Sequence, residues 1–129
     1  MEIPSDRRYK DTHEWHKLDS ASGLVSIGIS QLAVDQLTDI TFLDVKIKTG
    51  AIAAGAVFGE IESVKATSDL YVGIAGQVVE VNALAIENPA IINQDPYEQG
   101  WIIKLKPADV GALDSLMNAQ AYAKANGKG

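Results

Sequence analysis

Short apolar runs divided by turn signals set the rhythm of this chain. Residues 24–29, LVSIGI, and 40–45, ITFLDV, are rich in β-branched residues and read as strands. Between them Ser30 is placed to cap a short helix whose body is Gln31 to Leu37. From 55 to 82 the pattern becomes GAVFGEIES and then, past Lys65, GIAGQVVEVN, both strand-like and punctuated by glycine. At an offset of twenty, Phe58, Glu60 and Ile61 fall on Val78, Glu80 and Val81. This weak repeat predicts two similar hairpin halves with Lys65 near an approximate axis. Asn88-Pro89 and Asp95-Pro96 mark loops, because a residue before proline is pushed out of the helical region. In GWIIKLK, Trp101, Ile103 and Leu105 alternate with Ile102, Lys104 and Lys106, the pattern of a half-buried strand. Beyond Pro107 the chain is alanine-rich, and Val110, Leu113, Met117 and Ala121 share one face at helical spacing. A C-terminal helix over about 108–125, packed on the core, is expected.

Between the two glycine-punctuated halves lies EIESVKATSD, residues 60–69. Read as a tight turn, Ser63-Val64-Lys65-Ala66 cannot be of the mirror type without forcing positive φ on β-branched Val64, so an ordinary type I turn is expected, with Lys65 third. The backbone gives no reason for lysine there. Its ammonium would stand on a rigid tip in solvent, which suits an enzyme that forms an amide on it; the plain alternative is a solvated turn lysine.

Composition narrows the chemistry. At 129 residues the chain is read as a single domain, 1–129, able to bury a real core. A formal charge of −6 with no basic cluster argues against nucleic acid as a partner. With no cysteine there is no disulfide, thiolate nucleophile or thiolate zinc site, so any redox chemistry must come from an added group. No apolar run approaches the roughly 20 residues of a membrane span, and MEIPSDRRYK lacks the features of a signal or transit peptide. A soluble cytoplasmic protein without a membrane partner is expected. His13 and His16 flank Glu14 in a way that could hold a metal on a helix, but the segment reads as extended. Trp15 and Trp101 read as core, with Tyr9 and Tyr97 at its margin. No nucleophile, base and orienting group come together, so the chain is not expected to be an enzyme.

ESVKA around Lys65, HEW at 13–15, GIS at 28–30 with Ala33 and Leu37, PAIINQDPY at 89–97 and GWIIKLK at 100–106 occur in order and in register. Together they resemble the glycine cleavage system H-protein family over residues 9 to 122. Biotinyl carriers have a similar hairpin with methionine on both sides of the lysine, whereas Val64 and Ala66 stand here, which favours lipoate.

The resemblance implies a mainly β fold, a barrel-sandwich hybrid of the lipoyl/biotinyl type. It would carry its lysine at the tip of a hairpin over about 55–83, a short helix in the N-terminal half and a C-terminal helix. It implies a monomeric carrier bearing lipoate on Lys65, attached by a lipoyl-attaching enzyme. The carrier would take an aminomethyl group from the pyridoxal-phosphate glycine decarboxylase to the tetrahydrofolate-dependent aminomethyltransferase, and be reoxidised by the FAD-containing dihydrolipoamide dehydrogenase. Thr12, Glu14 and Asp69 match positions that line the cleft for the loaded arm. Glu60, Glu62 and Glu80 read as a solvated face that steers partners, or as arm contacts. The alternatives are an H-like lipoyl donor that relays the group to other complexes and an unmodified β-sandwich binding module.

Three departures stand out. Thr38 replaces the family's glycine before Asp39, and a β-branched residue fits poorly at a left-handed cap, so a different helix end is expected. DVKIKTGAIAAG lacks the usual proline near Lys46 and carries Gly50 one position late, implying a rebuilt turn. Val72-Gly73 replaces a Ser-Pro pair, exchanging a fixed φ for a free one.

Overall fold

The computed structural model describes residues 2–128. Its strands are β1 (Arg8–Tyr9), β2 (Glu14–Leu18), β3 (Val25–Ile29), β4 (Ile40–Val45), β5 (Gly50–Ile52), β6 (Val57–Ser63), β7 (Thr67–Tyr71), β8 (Gly76–Val81) and β9 (Ile103–Pro107). They form two antiparallel sheets, β1-β2-β3-β9-β8-β5 and β4-β6-β7, with no closed barrel among the described residues. The mainly β expectation holds.

Period-two patterning explains how the sheets share one core. Val25, Ile27 and Ile29 of β3, Leu43 and Val45 of β4, and Ile103 and Leu105 of β9 are all buried together. Phe58 and Ile61 of β6 both point inward because a register shift between Val57 and Gly59 re-aims the strand. Gly59 is needed because a Cβ there would sit 2.5 Å from the Asp44 carbonyl oxygen of the neighbouring strand.

Helix α1 (Gln31–Leu37) begins as read, with the Ser30 hydroxyl accepting from the Ala33 amide, and it buries Leu32, Ala33, Val34 and Leu37. The proline-marked loops carry two single-turn helices, α2 (Ala83–Glu87) and α3 (Ala90–Gln94). None of the described helices is long and apolar enough to cross a membrane.

Three expectations are corrected. The C-terminal segment is not one helix over 108–125. A 3-10 turn, Val110–Ser115, ends at extended Leu116, and α4 (Ala119–Ala125) restarts after an Asn118 cap. The break arises because Met117 exchanges two backbone hydrogen bonds, of 2.7 and 2.9 Å, with edge residue Tyr9, which no helical residue could do. The helical stripe is accordingly discontinuous, and Val110 is exposed while Leu113 is buried. Second, the twenty-residue repeat does not give two hairpins. Phe58 and Val78 are both buried, but where β6 turns directly into β7, β8 lies between β5 and β9 and reaches β9 only after α2 and α3. Third, Tyr9 and Tyr97 are not marginal. They join Trp15, Leu32 and Tyr122 in a buried cluster in which the Tyr9 and Tyr122 rings stack 4.6 Å apart.

Candidate functional site

Strands β6 and β7 meet at Val64 and Lys65, and hydrogen bonds hold this tip where packing does not. Val64 is 70% exposed, and Lys65 is exposed beside it. The Ser63 amide donates to the Ala66 carbonyl at 2.8 Å. The Ser63 hydroxyl accepts from the amides of Lys65 (3.1 Å) and Ala66 (3.0 Å), closing the turn from a side chain. Neither Val64 nor Lys65 takes a positive φ, as the cost for Val64 required. The turn's tie to the neighbouring segment is the Val64 amide, which donates to the Asp39 carbonyl at 3.0 Å.

Beside Ala66 opens a cleft of about 240 Å³ whose walls include Thr12, Glu14 and Asp69 together with Ile29, Leu37 and Ile61. The three residues matched by resemblance are thus brought to one place, one residue from the lysine. Glu14 is only 1% exposed. One carboxylate oxygen accepts from the Thr12 hydroxyl, and the other from the Tyr71 amide on edge strand β7 at 2.9 Å. Burial pushes its pKa up to about 7, and those two hydrogen bonds pull against the rise. Asp69 differs from Glu14. It is exposed at the edge of the cleft and lies in a row with Asp44 and Glu60 across β4, β6 and β7. Glu62 sits in the next row, opposite Phe42 and Thr67, so the outer face of this sheet is acidic around the tip.

The two histidines go separate ways. His13, at φ 83°, closes the turn into β2, and its Nδ1 lies 2.6 Å from the Tyr122 hydroxyl, which in turn lies 2.7 Å from the Ser30 hydroxyl. Helix α4 therefore braces the wall of the cleft. His16 is buried in β2, and its Nε2 accepts from the Gly73 amide at 2.9 Å. Nδ1 must then carry the proton and has no partner. Burial drives its pKa down to about 4. Among the described residues no three histidines or carboxylates are grouped to hold a metal.

The departures also find their places. Gly73 supplies an N–H that proline lacks, and a Cβ at that position would meet Leu116 at 2.8 Å and His16 at 3.1 Å. Gly50 opens β5 at φ 120°, a conformation that suits glycine. Thr38 takes φ 63° and ψ −140°, outside the left-handed helical region, so α1 ends at Leu37 on a strained residue that is not a left-handed helical cap. Sequence reasoning missed Ser63, Tyr71 and Tyr122. A serine at the start of a turn is a readable signal. The backbone amide of Tyr71 and the reach of Tyr122 from α4 leave no trace in sequence spacing.

Fold and site together define a class: a two-sheet β carrier domain that displays one lysine on a hairpin tip instead of enclosing it in a pocket. Comparison with known proteins narrows the class. The family model described as glycine cleavage H-protein matches residues 7–128. The glycine cleavage system H protein of Bacteroides fragilis is 43% identical over 122 residues, 95% of both chains. That of Chromohalobacter salexigens is 47% identical over 120 residues, 93% of this chain and 91% of its own. The crystal structure of a glycine cleavage system H protein from Mycobacterium marinum superposes with a TM-score of 0.88 at 40% identity, covering 97% of this chain and 99% of that one. The chain belongs to the glycine cleavage H-protein family.

Proposed function

We propose that this protein carries lipoate in amide linkage on Lys65 and serves glycine cleavage as a carrier, not as an enzyme. The observation that bears most weight is the tip itself: an exposed lysine on a turn closed by the Ser63 hydroxyl, one residue from a cleft with a buried carboxylate. Lys65 would hold the lipoyl group, whose dithiolane would supply a redox-active acceptor for the aminomethyl group between the pyridoxal-phosphate glycine decarboxylase, the tetrahydrofolate-dependent aminomethyltransferase and the FAD-containing dihydrolipoamide dehydrogenase. The chain's own residues supply presentation and shelter. Hairpin β6–β7 holds the lysine where the lipoyl-attaching enzyme and each partner reach it, and the acidic face formed by Asp44, Glu60 and Glu62 steers them. Thr12, Glu14 and Asp69 offer a hydroxyl and two carboxylates to an ammonium group folded back into the cleft. In this reading the protein works in the cytoplasm as a monomer that docks on each partner in turn.

Intact mass of protein produced with lipoate tests the assignment. One lipoyl group is expected on the wild type and none on Lys65→Arg, which retains the fold because an exposed tip contributes little burial. Lipoylation of Lys65→Arg at any other lysine overturns it. Glycine-dependent exchange of labelled bicarbonate with purified decarboxylase separates service in glycine cleavage from lipoyl relay: an inert but lipoylated protein is a relay.

A further inference from the structure

Thr38 occupies a backbone conformation, φ 63° and ψ −140°, that branched residues avoid, so something must hold it there. Three hydrogen bonds do. Its amide donates to the Val34 carbonyl at 2.9 Å, its hydroxyl donates to the Leu37 carbonyl at 2.5 Å, and its own carbonyl accepts from Asn93 Nδ2 at 2.7 Å. Asn93 does more than that one bond. Its Oδ1 accepts from the Ile40 amide at 2.9 Å, so one carboxamide grips the chain on both sides of Asp39. Its orientation is fixed by chemistry, because a carbonyl can only accept and an amide N–H can only donate. Asn93 is itself anchored: it stands on α3 directly after Ile91 and Ile92, which are buried in the main core.

Asp39, the residue so gripped, presents its carbonyl to the Val64 amide of the lysine turn. With Val64 70% exposed, no side-chain packing replaces that bond if the carbonyl moves. We propose that Asn93 is a positioning residue for Lys65, acting through the strained Thr38-Asp39 segment to hold the turn in the geometry that the modifying enzyme recognises. The inference rests on Lys65 being the modified lysine. It concerns a side chain that touches neither the lysine nor its turn. Without the Asn93 grip, Thr38 relaxes toward ordinary φ, the Asp39 carbonyl leaves Val64, and only a fraction of molecules present the turn correctly. A partner that binds only that fraction sees its apparent affinity fall in proportion.

The test compares wild type, Asn93→Ala, Thr38→Gly and the double variant in two assays. One is amide hydrogen exchange at Val64 in the unmodified protein. The other is the kinetics of lipoate attachment by a lipoate–protein ligase. Asn93→Ala is expected to speed Val64 exchange and raise KM for attachment about tenfold with kcat little changed. In the double variant glycine takes the positive φ without strain, so both readouts recover most of the loss. Thr38→Gly alone is expected to raise the melting temperature, a readout that survives even if Asn93→Ala folds poorly. Unchanged Val64 exchange in Asn93→Ala, absence of rescue in a folded double variant, or a lowered melting temperature for Thr38→Gly overturns the inference. A wild type that takes no lipoyl group on Lys65 instead refutes the carrier reading, and the exchange comparison still reports on the Asn93 grip.

Discussion

Glu14→Gln is expected to uncover a pH dependence of stability that the wild type conceals. Two buried groups two residues apart on β2 respond to pH with opposite signs. Glu14 has its pKa raised from 4.5 to about 7, so the folded state holds its proton more tightly, and stability is gained as pH falls from 7 to 4.5. His16 has its pKa lowered from 6.5 to about 4, so the unfolded state takes up the proton first, and stability is lost as pH falls from 6.5 to 4. Each slope approaches about 1.4 kcal/mol per pH unit between its two pKa values. Between pH 6.5 and 4.5 they oppose one another. Glutamine keeps the shape and one acceptor for the Tyr71 amide or the Thr12 hydroxyl, but it does not titrate. Because the slope flattens near each pKa value, the variant should lose roughly 2 kcal/mol relative to the wild type over those two pH units, a large part of a domain's usual 5–15 kcal/mol. His13, also held below its ordinary value by burial, acts alike in both proteins and cancels in the difference. The depressed carboxyls of Asp6, Asp11 and Asp19 titrate below 3.8, outside the window. Urea unfolding at pH 6.5, 5.5 and 4.5, with constant m-values, measures the difference. Equal pH slopes for wild type and Glu14→Gln would refute the account of Glu14 as a buried carboxyl with a raised pKa.

Glu14→Ala is expected to hasten spontaneous loss of the aminomethyl group from the loaded arm about tenfold, equivalent to roughly 1.4 kcal/mol, without altering the extent of lipoylation. Decay of purified loaded protein, followed by released formaldehyde, checks it, and identical rates would remove Glu14 from the sheltering role. Gly73→Pro should destabilise the protein by about 1–3 kcal/mol, because the buried His16 Nε2 then loses its donor. An unchanged urea midpoint would show that the Gly73–His16 bond contributes nothing.

Much of the β architecture was readable because period-two burial is local. VSIGI declares its inward face, and Ser30 announces α1 three residues ahead of the amide it caps, whereas in ITFLDV a register shift between Ile40 and Phe42 breaks the alternation and leaves Phe42 exposed. Reading failed where a backbone partner from far along the chain decided the outcome. Helical spacing from Val110 to Ala121 is genuine, yet Tyr9, 108 residues before Met117, pulls that residue into a strand-like pairing and splits the segment. The twenty-residue offset between Phe58 and Val78 likewise records two inward-facing strand positions and says nothing of which strand each one pairs with.

The site divides along the same line. The place of Lys65 at a hairpin tip could be read because the turn is local, with the Ser63 that closes it two residues away, and the family resemblance rather than the turn singled the lysine out. The ionisation of Glu14 could not be found, because it depends on walls contributed by α1, β6 and β7. The departures from the family pattern make the point sharpest. Thr38 in place of glycine and Gly73 in place of proline each look like a local fault. Each is answered by a hydrogen bond from far away, Asn93 to Thr38 across 55 positions and Gly73 to His16 across 57. A substitution that breaks a local rule therefore leaves the fold intact when a distant polar group meets the backbone it exposes. The Asn93 grip and the Gly73–His16 bond are the two places where that argument can be put to direct measurement.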